Sequence, residues 1–342
     1  MKITSKKSKD LTKIITLNVE AADYEAARKK NLAQMQRRAD IPGFRKGHVP
    51  ASMIEKFYGQ TALGDAINAV VGEALQKYVT DQKLNLIGEP LPVDEKIDIE
   101  WKAGNDFSFS FELAEQPVVS LELGKDDKLP YYTITVSADD KKNLAKSYMA
   151  QQEARAKAAE ENPDTPAPEL LSEEEINKKV AEQLSSEYKE AAQFRFEKDV
   201  RDYCVEKAAI ALPEKFLRRW LLVANEGKLT EEQIDKDFEG FLKDYRWQLL
   251  LGELTKKYEV KIEEKDITEE AKNFARYQYA MYGLPAPADE MLEGFVKSIL
   301  QDQDQIQRIA ENCQNRKVIA AVKEQITVES KRISSEKFRA LK

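Results

Sequence analysis

Ten residues, Ile41-Pro42-Gly43-Phe44-Arg45-Lys46-Gly47-His48-Val49-Pro50, hold the side chains best spaced for making contact with a partner. Two glycines and two prolines exclude a continuous helix here. Between the glycines stand one aromatic ring and two cations, and His48 can add a third charge. A stiff loop with Phe44, Arg45 and Lys46 at its tip suits a structured anionic surface. The cations would meet phosphate or carboxylate, and the ring would fill an apolar notch. The plain alternative is a turn joining two helices. Covalent chemistry has little to draw on. His48 is the only histidine, so neither a histidine-rich metal site nor a Ser-His-Asp set can form. Cys204 and Cys313 lie far apart without metal-ligand spacing and read as buried thiols of a reducing compartment. Gly43-x-x-x-Gly47 lacks the spacing and the following Lys-Ser/Thr of a nucleotide loop. Carboxylates are abundant, but no apolar surroundings legible in sequence mark one as catalytic. The expectation is a protein with no enzymatic site, no metal and no cofactor.

Charge narrows the partner. The 342 residues carry a net −7, yet residues 1–50 hold 12 Lys+Arg against 5 Asp+Glu. An anionic partner is therefore expected for this end only. The remainder, at −14, would be repelled by bare nucleic acid. Length favours two domains. There is no apolar run after the first charges and no stretch of about 18 apolar residues, so neither a signal peptide nor a membrane span is expected, and the cytoplasm is the default location.

The elements that must position the loop follow from periodicity. Thr12–Val19 is β-branched and reads as a strand. Asp23–Ala39 reads as a helix with a basic face (Arg28, Lys29, Lys30, Arg37, Arg38) that leads into the loop. Beyond the loop, Ser52 would cap a short helix with Ile54, Phe57 and Tyr58, closed near Gly59. A longer helix over Thr61–Gln82 buries Leu63, Ile67, Val70, Val71, Ala74, Leu75 and Tyr78. Lys96–Trp101 and Phe107–Leu113 read as a hairpin turning at Ala103–Asp106. These elements make an α+β domain over residues 1–115, an antiparallel sheet with helices. Pro117–Val136 reads as an extended linker, Ala138–Glu161 as a polar helix, and Asn162–Pro168 as a proline-rich break, so that 116–171 joins the domains. From Ser172 every segment reads helical. Capping boxes stand at Ser172–Glu175 and Thr230–Gln233, Pro213 opens a helix, and Thr268 opens another. Residues 172–342 are expected to form an elongated all-α domain with narrow apolar stripes and exposed grooves.

Gly43-Phe44-Arg45-Lys46-Gly47-x-x-Pro50 resembles the ribosome-docking signature of trigger factor, the bacterial ribosome-associated chaperone family. The order of elements around it agrees, and Leu212-Pro213-x-x-Phe216-Leu217-x-Arg219-Trp220-Leu221-Leu222 resembles a segment of the family's C-terminal domain. The family commonly has lysine where His48 stands. The resemblance implies an ATP-independent chaperone that docks beside the tunnel exit of the large ribosomal subunit, touching protein and rRNA through Gly43, Phe44, Arg45, Lys46, Gly47 and Pro50. It would shield nascent or unfolded polypeptides, without a membrane partner, and its exposed grooves would permit a homodimer off the ribosome. Family members usually carry an isomerase domain of the FKBP type after the linker helix. Only seven residues separate Glu161 from Glu169, so that domain is expected to be missing. Phe274, Tyr277, Tyr279, Met281, Tyr282, Met291 and Phe295 are either an adaptable client surface or ordinary helix packing. An RNA-binding or ribosome-assembly factor with a helical scaffold is the other functional reading.

Overall fold

Apolar residues at every second position lay β2 (Thr12–Val19) against β4 (Phe107–Ala114), with Ile15 opposite Phe111, Leu17 opposite Phe109 and Val19 opposite Phe107. This pairing is the centre of a computed structural model that describes residues 1–7, 11–93, 100–161, 170–281 and 287–341. The described residues fall into two compact units, 1–118 with 210–242, and 119–209 with 243–342.

In the first unit an antiparallel sheet runs in the order β1 (Lys2–Lys7), β2, β4, β3 (Leu91–Pro92). The strand β1 was not legible, because an exposed edge strand rich in lysine has no apolar alternation to read. Of the expected hairpin partner of β4, residues 96–99 lie outside the described residues, and Glu100 and Trp101 are in no strand. Leu91 pairs with Glu112 of β4. Two helices pack on the sheet, α1 (Ala21–Arg38) and α2 (Ala51–Asp81), around buried Val19, Tyr24, Leu63, Ala66, Ile67 and Phe107. Tyr24 donates its hydroxyl to the Asn105 carbonyl (2.8 Å) and accepts the Gly104 N–H (2.9 Å), fixing the turn before β4. The two helices expected after the loop are one. Gly59 does not break α2, since a glycine in a helix costs only about 1 kcal/mol and buried Ile54, Ala62 and Leu63 on either side anchor the helix. The N-cap is Pro50, not Ser52. The helix α5 (Glu214–Ala224) belongs to this unit. Its Arg219 pairs with Glu112 (2.7 Å) and donates to the Pro92 carbonyl (2.9 Å).

The second unit is mostly helical: α3 (Ala138–Glu161), α4 (Glu173–Ala208), the end of α6 (Glu231–Lys257), α7 (Glu264–Met281), α8 (Asp289–Ile299) and α9 (Gln303–Gln325). Both capping boxes form. Ser172 and Glu175 exchange bonds at the start of α4, and Thr230 and Gln233 do so before α6. The helix α7 begins four residues before Thr268, whose hydroxyl instead donates to the Glu264 carbonyl. The break at 162–168 lies outside the described residues. The helical reading after Ser172 holds as far as α9, but its end does not. A strand β6 (Thr327–Ser334) pairs in parallel with β5 (Lys128–Thr135), which lies inside the expected linker, and the short α10 (Ser335–Arg339) follows. Sequence could not supply this pairing, because each strand is legible only through a partner 199 residues away.

Candidate functional site

Two tight turns in tandem build the loop. Ile41–Phe44 closes through the Phe44 N–H on the Ile41 carbonyl (3.0 Å), and Arg45–His48 through the His48 N–H on the Arg45 carbonyl (2.9 Å). Each has glycine in its third place with positive φ, +91° at Gly43 and +81° at Gly47, and Pro42 presets the second place of the first turn. These are the needs of a type II turn. Phe44, Arg45 and Lys46 are carried at and between the two corners, and all three are exposed, the ring by 38%.

Beneath the turns the loop is pinned. Val49 is 1% exposed and packs with buried Ala39 and Ile54 and with Leu32, Ile41, Met53 and Tyr58. Gln36 on α1 donates to the Val49 carbonyl (2.7 Å). Sequence reasoning missed Val49 and Gln36 as loop anchors. The lone apolar residue between His48 and Pro50 was the available signal for the first, and nothing marked the second. Pro50 then starts α2, accepting from the Met53 and Ile54 N–H groups. All six expected site residues thus lie on one short segment, with the tip free and the base buried.

The basic face of α1 divides. Arg28 is a clamp between helices, bonded to Glu55 on α2 (2.6 Å) and to Glu25 (3.0 Å). These bonds, Glu25 first, hold its guanidinium above the ordinary arginine range, and the bond from Arg28 holds Glu25 below the usual carboxylate range. Lys30, Arg37, Arg38, Arg45 and Lys46 have no carboxylate in ion-pair range among the described residues. Phe57, placed by the sequence on the helix after the loop, is 57% exposed near the start of α2. An open cleft of about 510 Å³ adjoins the loop between α1 and α2, with Asn31, Gln34, Arg38, Asp40, Tyr58 and Asp65 in its wall. The result is a cationic, aromatic-tipped platform suited to reversible contact with phosphate or carboxylate.

The second aromatic cluster divides into packed and exposed side chains. Phe295 packs against the buried core of α7, α8 and α9 and meets Phe274 in a tilted ring contact at 6.4 Å. Tyr277 (65%), Met281 and Met291 are exposed. Tyr282 lies outside the described residues. Among the described residues, no group of three or more His, Cys, Asp or Glu could hold a metal, and no helix is long and apolar enough to cross a membrane.

Residues 1–147 match the family model described as bacterial trigger factor protein, and residues 192–341 the one described as probable trigger factor, C-terminal domain. A trigger factor of Gluconobacter oxydans is 21% identical over 414 residues, covering 89% of this chain and 94% of that protein. Those of Clostridium tetani and a Methylobacterium species are 29% and 31% identical over 47% and 44% of this chain. The matched stretches span only 36% and 32% of those two relatives. The fold is shared with a solved trigger factor chaperone, described as showing promiscuous substrate recognition in folding and assembly. The TM-score is 0.54 at 14% identity, over 94% of this chain and 99% of the other.

Proposed function

Because this chain belongs to the trigger factor family, we propose that it is an ATP-independent chaperone that docks at the ribosomal tunnel exit and shields emerging polypeptides. The observation that carries the docking half is the loop itself. Two glycine turns hold Phe44, Arg45 and Lys46 clear of the fold while Val49 and Gln36 anchor the base. The rigid base means that little conformational entropy is lost on contact. Phosphate and carboxylate of rRNA and ribosomal protein are the complementary groups, and the cytoplasm is the compartment that offers them. The client half draws support from exposed Tyr277, Met281 and Met291. These side chains suit weak contact with many sequences. Self-association through such surfaces off the ribosome belongs to the same reading.

Replacing Phe44, Arg45 and Lys46 together by alanine tests docking. Ribosome co-sedimentation should be lost while the circular dichroism spectrum is kept, since no core contact is removed. Wild-type docking should also weaken as salt rises. Unchanged co-sedimentation of the triple variant would sink the docking claim. Isomerase activity is not expected of this chain. In the stretch between the two matched family regions, 148–191, the described residues lie mostly in the end of α3 and the start of α4, which pack through Tyr148, Ile176, Val180 and Leu184. Turnover of a Xaa-Pro peptide well above the uncatalysed rate would refute this.

A further inference from the structure

We propose that the edge of β5 is a backbone-reading slot for an extended segment of unfolded polypeptide, and that β6 is its occupant in cis. The proposal rests on the chaperone reading above and names a second, chemically different surface for the client. The strands β5 and β6 pair one to one over eight residues, Lys128 with Thr327 through Thr135 with Ser334. They form a sheet of their own among the described residues. None of the eight side chains of β6 is buried, and its sequence, TVESKRIS, offers only Val328 and Ile333 as apolar groups. The main-chain ladder therefore holds β6 together with half-buried Val328 and Ile333, without a fully enclosed side-chain pocket. The slot lies on a firm floor, since Leu129 of β5 is buried and the Tyr131 ring packs tilted against buried Phe196 of α4 at 5.5 Å.

Two clasps keep the occupant in place, one at each end. Before the strands, the Thr327 N–H donates to the Asp127 carbonyl (2.8 Å), its hydroxyl donates to the Lys125 carbonyl (2.6 Å), and Lys125 donates to the Ile326 carbonyl (3.2 Å). After them, Asp140 accepts from Ser335 (2.6 Å) and Arg339 (2.8 Å), and Ser335 is 1% exposed. The closing bonds lie outside the ladder. With the far clasp open, β6 can peel from β5 starting at that end, without dismantling the helices on which β5 rests. A freed edge of eight residues presents unpaired N–H and C=O groups, which an incoming strand satisfies whatever its sequence. That tolerance fits a client of arbitrary sequence better than it fits a specific partner. The polar character of β6 shows that the slot accepts side chains other than apolar ones. Client affinity would be set by the fraction of molecules with β6 released.

A disulfide lock tests this. Thr133 and Arg332 are register partners and both exposed. Strand neighbours lie about 4.8 Å apart, within disulfide reach. In the full chain carrying Thr133→Cys and Arg332→Cys, the oxidised form should bind a fluorescent, reduced and carboxymethylated unfolded protein severalfold more weakly than the same preparation after reduction. The reduced form is its own control for folding. The variant Ser335→Ala with Arg339→Ala, which loosens the clasp, should bind the probe more tightly than wild type, and a peptide of residues 327–334 should compete. If the locked, reduced and loosened proteins all bind as wild type does, the slot proposal is wrong while the chaperone reading stands. If wild type itself neither binds the probe nor slows aggregation, both fall. If the loosened variant sediments as a dimer with unchanged probe binding, the slot belongs to a second copy's tail and the proposal is overturned.

Discussion

Gly47 and Gly88 are constrained for different reasons, and the difference is measurable. A β-carbon at Gly47 would lie 3.9 Å from the Arg37 carbonyl oxygen, so space is not the obstacle; its φ of +81° is. Alanine there should cost about 1–2 kcal/mol, confined to the loop, and should weaken ribosome docking although every tip side chain remains. At Gly88, where φ is +66°, a β-carbon would stand 2.5 Å from Trp220 Nε1 of α5. Alanine there should cost more, about 2–4 kcal/mol, because strain and overlap add. Denaturant unfolding of the two variants checks the order. A Gly88→Ala protein as stable as Gly47→Ala would show that Trp220 does not seat on this glycine. The loop glycines were legible as turn residues from spacing alone. The seat of Trp220 was not, because no local pattern connects residues 88 and 220.

Among the elements, the β5–β6 pair should respond to acid in a defined direction. Hydrogen bonds from Lys207, Tyr203 and the Gly124 N–H hold Asp127 down to about 2 from an ordinary 3.8. Bonds from Ser137, Ser335, Tyr188 and Arg339 hold Asp140 well below the usual carboxylate range. A carboxylate depressed in the folded state adds stability that is present above its unfolded pKa and is lost as pH falls through the folded one. The amides of 327–334 should therefore keep their hydrogen-exchange protection at pH 5 and lose it between about pH 4 and 2. Asp140→Asn should loosen them already at neutral pH. Protection unchanged down to pH 2 would show that the carboxylates do not hold the tail. The helices were plain in the sequence because helical caps and apolar stripes repeat within one element. The parallel pair was hidden because neither strand alternates cleanly and each needs the other to be a strand.

On the scale of the whole chain, order in sequence and membership of a unit part company. Residues 210–242 sit with the first unit, and β5, read as linker, sits with the second. Cutting at the apparent boundary near Glu169 should therefore damage the helical part. A fragment 169–342 lacks β5, so its residues 327–334 should exchange freely, while in a fragment 119–342 they should stay protected. Equal protection in both would mean that β6 folds without β5. For the same reason, a fragment 1–115 should melt below the full chain's first unit, since it lacks the Arg219 contacts to Glu112 and Pro92.

The sequence by itself determined the two-turn loop at 41–50, the helices with most of their caps, the sheet strands β2 and β4, and the family. Turn chemistry, periodicity and capping are written in residues a few positions apart. Only the tertiary structure decided which cations are free and which, like Arg28, clamp helices together. It also decided that Phe57 faces solvent, that α2 runs through Gly59, and that the C-terminal residues return as a strand to the linker. Each of these depends on a partner tens to hundreds of residues away, and the free energy that settles it comes from contacts no local window contains.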